Sequence, residues 1–113
     1  MIYFQQWEKD SFEYIFLNEI KNVMKEKPNL KLYVGFDYGF FCGMNIYYGT
    51  NSDPSYAKLL HKLLKKEKLN IRLFTNIDYN FDVIILLGYS NNQKERQYLW
   101  KNKKKLMKAL SFF

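Results

Sequence analysis

The sequence predicts a single α+β domain spanning 1–113, in which three helices pack on a four-stranded mixed sheet in the order α-β-β-α-β-β-α. Three observations predict it. Apolar residues recur at spacings of three and four in three separate segments, as on one face of a helix. Between these segments lie four runs that are alternating or continuously apolar, as strands are. A chain of 113 residues with 48% hydrophobic and 19% aromatic content has enough apolar surface for one core without staples.

Phe12, Ile15, Phe16, Ile20, Val23 and Met24 form the apolar stripe of the first helix. Asp10 with Glu13 reads as a capping box at its start, and Lys27-Pro28-Asn29 stops it. Leu30, Leu32, Val34 and Phe36 then alternate with Lys31, Tyr33, Gly35 and Asp37, which reads as a half-buried strand. Asp37-Tyr38-Gly39 is turn chemistry, and 40–48, with Cys42, Met44 and Ile46 on one face, makes a second strand hairpinned to the first. Gly43 inside it marks a bulge or a close backbone approach.

After the loop 49–52, Asp53 as N-cap and Pro54 at the first helical position open the second helix. Leu59, Leu60, Leu63 and Leu64 form its buried side, Lys58, Lys62, Lys65 and Lys66 the opposite one, and Asn70 is its left-handed C-cap. Residues 71–75 are the third strand, 76–80 a turn, and 81–89 the fourth strand. The run Val83-Ile84-Ile85-Leu86-Leu87 fits a strand buried on both faces near the sheet centre. The helix between the hairpins permits a crossover that sets the second and third strands parallel. Asn92 with Glu95 opens the third helix, with Leu99, Leu106 and Leu110 inward and Lys94, Lys101, Lys104, Lys105 and Lys108 outward.

Charge is distributed unevenly. Residues 58–72 sum to +5 and 94–108 to +6, so the remainder is −4 and the total +7. Two positive helices on a neutral-to-acidic body point to an anionic partner, through long-range steering. The cations are overwhelmingly Lys, which suits nonspecific attraction to phosphate better than the planar recognition that favours Arg. The tyrosines are the other resource for binding, since a rigid amphipathic ring suits protein interfaces and also stacks on unpaired bases. Abundant Lys, Asn, Ile, Phe and Tyr beside only two alanines, Ala57 and Ala109, also follows from AT-rich codons, a property of the gene.

The linear chemistry is sparse. His61 is the single histidine, and no Cys, Asp or Glu stands three or four residues from it, so it reads as a boundary residue. Cys42 sits among Phe40, Phe41 and Met44 and reads as a buried, inert thiol. Gly35, Gly39 and Gly43 do not make a phosphate loop and read as hairpin geometry. Asp37, Asp53, Asp78 and Asp82 lack the strand pattern of a metal-dependent nuclease and read as turn and cap residues. No catalytic residue, metal or cofactor is expected. One cysteine forms no internal disulfide, the N-terminus lacks the basic start and apolar run of a signal peptide, and no stretch is long enough to cross a bilayer, so a reducing cytoplasm is the expected address.

The expected function is therefore a non-enzymatic protein-binding inhibitor, such as a toxin-neutralising immunity protein or a phage counter-defence protein. It would bind another protein with an acidic surface, for example a cognate toxin. The expected partner-binding residues are Lys62, Lys65, Lys66, Arg72, Lys101, Lys104 and Lys105, with Tyr38, Tyr47, Tyr48 and Tyr89. The alternative is a nucleic-acid-binding module using the two lysine-rich helices. A second alternative is a small metal-dependent nuclease with carboxylates from Asp37, Asp53 or Asp82.

Overall fold

A computed structural model describes residues 2–25, 31–39, 41–49, 53–76, 81–90 and 92–112. In chain order the elements are β1 (Ile2–Phe4), α1 (Phe12–Val23), β2 (Leu32–Tyr38), β3 (Gly43–Gly49), α2 (Ser55–Lys66), β4 (Ile71–Asn76), β5 (Val83–Tyr89) and α3 (Gln93–Leu110). The three helices and the mixed sheet are as expected, but the sheet has five strands, in the order β1-β2-β5-β3-β4. The additional strand, β1, is three residues long and pairs in parallel with β2. So short a run has no periodicity to read, and only its pairing defines it.

Neither expected hairpin forms. β5 inserts between β2 and β3, parallel to the first and antiparallel to the second. β3 and β4, joined through α2, are parallel as expected. β5 is thus the middle strand, with six of its seven residues buried, which is what its continuous apolar run requires.

All three helices cover one face. Leu32, Val34 and Phe36 of β2 stand in register with Val83, Ile85 and Leu87 of β5, and Ile46 and Met44 of β3 continue the rows. These side chains form a single core with Phe16, Ile20 and Met24 of α1, Leu60 and Leu64 of α2, and Leu99, Leu106 and Leu110 of α3. α3 lies between α1 and α2 and packs on β5. Inward-facing leucines on α2 are Leu60 and Leu64, whereas Leu63 is half-buried and Leu59 is exposed.

Several local assignments shift. The N-cap of α1 is Ser11, whose hydroxyl accepts from Tyr14 N–H at 3.1 Å, while Asp10 takes a left-handed turn with φ 70°. Glu13 is therefore released from capping and turns into the protein. Asp53 works one residue earlier than expected: α2 begins at Ser55, whose N–H donates to Asp53 Oδ1 at 2.9 Å. The left-handed residue after α2 is Lys68, not Asn70. Asn92 caps α3, accepting from Lys94 N–H at 2.9 Å. Pro28, Leu30 and the turn at 77–80 lie outside the described residues. Among the described residues no helix is long and apolar enough to cross a membrane.

Candidate active site at the carboxyl edge of the central strands

The strand order brings several chain segments to one edge. β1, β2 and β5 run parallel, so their carboxyl ends lie together, and the antiparallel β3 starts there. α1 and α3 follow β1 and β5, so both helices begin at this edge. Open α/β sheets bind ligands outside the carboxyl ends of their strands, because loops and helix amino ends converge there.

Two polar groups are built at this edge. In the first, Ser90 leaves β5 and its hydroxyl donates to Glu95 Oε2 on the first turn of α3. Cys42, just before β3, places its thiol near the same carboxyl group. Burial, then the negative charge of Glu95 and the hydrogen bond to it, push the Cys42 thiol up to about 11, so it stays protonated at neutral pH. Glu95 does not complete the expected capping box. Its carboxylate takes the Ser90 hydroxyl, and Ser90 Oγ in turn accepts from Asn92 N–H at 3.4 Å.

In the second group, the Tyr89 hydroxyl donates to Glu13 Oε2 at 2.5 Å, joining β5 to the first turn of α1. Both residues are buried. Burial first, and then the Glu13 carboxylate, raise the Tyr89 pKa, so the phenol keeps its proton and acts as a donor. The Arg96 guanidinium lies 5.7 Å from the Tyr89 ring centroid and 5.9 Å from that of Phe12. Its Nε is buried without a hydrogen-bond partner among the described residues. Beside it, α1 and α3 leave a groove of about 640 Å³ lined by Phe12, Ile15, Gln93, Arg96, Gln97, Trp100 and Lys101.

The residues expected to bind a partner divide into separate places. Lys62, Lys65 and Lys66 on α2 and Lys101, Lys104 and Lys105 on α3 are exposed, and the two helices are neighbours. Lys66, Lys105 and Lys108 line one shallow groove between them, of about 180 Å³. Arg72 is not part of that surface. It stands on the opposite sheet face, in register with Asn45, with its guanidinium 3.8 Å above the Phe41 ring. Tyr38 is exposed at the end of β2. Tyr47 stacks on Phe74 on the helix-free face, whereas the half-buried Tyr48 packs against the core. Tyr89 is corrected outright: at 2% exposure it offers no interface. Lys103, within the basic run, is buried, pairs with Glu19 and lies 3.4 Å over the Trp100 ring.

The carboxylates of the nuclease alternative do not gather. Asp37 lies at the carboxyl end of β2, while Asp82 precedes β5 at the other edge and accepts from Lys31 N–H at 3.0 Å. Asp53 is held by Ser55, which keeps its carboxyl below the usual range. Among the described residues no three His, Cys, Asp or Glu are grouped to hold a metal ion. His61 is half-buried, with its pKa lowered by burial and by Lys65.

No family model and no curated protein matches the chain. A solved structure does: the catalytic domain of CwlV, an N-acetylmuramoyl-L-alanine amidase from Bacillus (Paenibacillus) polymyxa var. colistinus. The match has a TM-score of 0.59 at 10% identity and covers 97% of this chain and 93% of that one. The fold is similar to that of an amidase catalytic domain. This corrects the two expectations of a non-enzymatic inhibitor and of no enzymatic activity. They rested on the lack of a catalytic motif along the sequence and, for the inhibitor, on the tyrosines, the uneven charge and the AT-rich gene as well, whereas the frame that the chain adopts is one that a catalytic domain uses. Cys42, Ser90 and Glu95 were missed because nothing in their spacing links them. The available signal was Ser90 directly after the most buried strand, a position from which a side chain reaches the carboxyl edge.

Proposed function

We propose that this chain is a hydrolase that cleaves an acyl bond, an amide or an ester, at the carboxyl edge of β2 and β5. The observation that carries the reading is the Ser90–Glu95 pair. A hydroxyl nucleophile needs a base within hydrogen-bond reach, and the base needs a third group to orient it. Glu95 is that base, and the Cys42 thiol, close enough for Glu95 to raise its pKa, is the group placed to orient it. In the reaction Ser90 Oγ attacks the acyl carbon as its proton passes to Glu95, which returns it to the leaving nitrogen or oxygen. Water, giving a proton to Glu95, then cleaves the acyl–Ser90 ester, and that proton returns to Ser90 as the acid leaves. Ser90 also stands just before the amino end of an 18-residue helix, where the helix dipole favours developing negative charge. Cys42, protonated at neutral pH, is a poor nucleophile and serves as a positioning residue. The likeness to an amidase catalytic domain supports the same class of bond. A reducing compartment, the cytoplasm, suits the lone protonated thiol.

A fluorophosphonate probe tests the site without knowledge of the substrate. Ser90 should be labelled, and Glu95→Gln should slow labelling by about a hundredfold, the low end of general-base effects. An unlabelled parent protein, or labelling that survives Ser90→Ala, refutes the assignment.

The basic helices carry a second proposal. α2 and α3 lie side by side, and seven lysines, Lys62, Lys65, Lys66, Lys101, Lys104, Lys105 and Lys108, are exposed along them. This surface fits nucleic acid, held through its phosphates without base selection.

A further inference from the structure

We infer that the groove between α1 and α3 is a binding site for a small oxyanion, a carboxylate or a phosphate, carried on a flat apolar body. Three features of the groove lead there. Its volume of about 640 Å³ falls within the range of small-molecule sites. Its walls include Phe12 and two large apolar side chains left in water, Ile15 at 41% and Trp100 at 42% exposure. Such side chains, grouped in a concavity, favour a planar apolar occupant.

The sign of the charge follows from the polar lining. Arg96 and Lys101 are cations, Gln93 and Gln97 are neutral amides, and none of the described lining residues is acidic. Arg96 is held beside the rings of Phe12 and Tyr89, while its Nε has no hydrogen-bond partner among the described residues. A buried guanidinium N–H without an acceptor is unfavourable, and an oxyanion is the acceptor whose geometry its planar fork matches. Trp100 is held in place from behind by Lys103, itself paired with Glu19 of α1, so this wall is formed before any ligand arrives. The inference stands on the groove's own lining and does not require the Ser90–Glu95 reading.

The test measures binding, not turnover, with four probes that share one ring system: 2-naphthoate, 2-naphthyl phosphate, neutral 2-naphthol and cationic 2-naphthylmethylamine. Titration calorimetry gives the affinities, and quenching of Trp100 fluorescence reports the location. At least one anion should bind about tenfold or more tightly than naphthol, and the amine should bind least. The better of the two anions identifies the oxyanion class. Arg96→Gln should abolish the preference for anions. Lys101→Gln, at an exposed position that does not threaten folding, should weaken both anions several-fold and leave naphthol unchanged. Equal binding of naphthol and the anions, anion affinity unchanged in both variants, or no anion binding at roughly millimolar concentration overturns the inference.

Discussion

Gly88→Ala tests whether the carboxyl edge is built as described. Gly88 lies in the central strand, opposite Gly43 of β3. A Cβ added there would stand 1.8 Å from the Phe41 carbonyl oxygen and 2.8 Å from its carbon. Close carbon–oxygen contacts settle near 3.3 Å, so the segment carrying Phe41 and Cys42 must retreat by roughly 1.5 Å. Overpacking of this kind costs about 1–3 kcal/mol. The retreat also takes the Phe41 oxygen from Asn45 Nδ2, which now bonds it at 3.3 Å and Leu86 O at 3.2 Å. Asn45 is fully buried and its Oδ1 already lacks a partner among the described residues, so weakening its donor adds about 1–3 kcal/mol. A total of about 4 kcal/mol is a large part of the 5–15 kcal/mol that holds a domain together. Urea denaturation should show it as a midpoint lowered by roughly 2 M. Gly39→Ala is the control. Among the described residues nothing lies within 4 Å of a Cβ there, so its left-handed backbone, φ 82°, is what opposes the change, at about 1 kcal/mol. If Gly88→Ala destabilises no more than Gly39→Ala, the close approach of the 41–42 segment to β5 is wrong, and with it the placement of Cys42 beside Glu95.

Two further outcomes are expected. With its pKa pushed from 9.0 to about 11, Cys42 holds about a hundredfold less thiolate at neutral pH, so iodoacetamide should alkylate it about a hundredfold more slowly in the native protein than in urea. Because the folded state disfavours the thiolate, this contribution to stability is intact below pH 9 and is lost as the pH rises from 9 through 11, a decline that Cys42→Ser should flatten; equal native and unfolded alkylation rates at pH 7.5 contradict the assignment. Reversing Lys62, Lys65 and Lys66, or Lys101, Lys104 and Lys105, to Glu moves the net charge from +7 by −6 to +1 and should leave the fold intact, because all six are exposed. Each triple change should weaken single-stranded DNA binding and flatten its salt dependence, and DNA affinity unchanged in both would return these lysines to ordinary solvated surface.

Local patterns decided the elements of this protein, and they were legible. The stripe of Phe12, Phe16 and Ile20 made α1, and the lysine faces of α2 and α3 lie in water as their spacing required. The uninterrupted run from Val83 to Leu87 placed β5 at the sheet centre, where β2 and β3 flank it and six of its seven residues are buried. Caps were legible to within a residue, since Asp53, Ser11 and Asn92 all offer a short acceptor to nearby N–H groups.

Pairing was not legible. Periodicity says which way side chains point, and it says nothing about which strand lies beside which, so β2 and β3 read as a hairpin until β5 came between them. That insertion creates the candidate site. It sets Ser90 and Tyr89, from the end of β5, against Cys42 and against the first turns of α3 and α1. Glu13 and Glu95 read as helix caps along the chain, because local hydrogen bonding is the default use of a carboxylate near a helix start. Tertiary contact gave each a partner from β5 instead, through Tyr89 for Glu13 and Ser90 for Glu95. Sequence determined the parts and their buried faces, through forces that act over a few residues. The order of the strands, and so the chemistry brought together at their carboxyl edge, depended on contacts between residues far apart in the chain, such as Glu13 with Tyr89, 76 positions away, which no local pattern encodes.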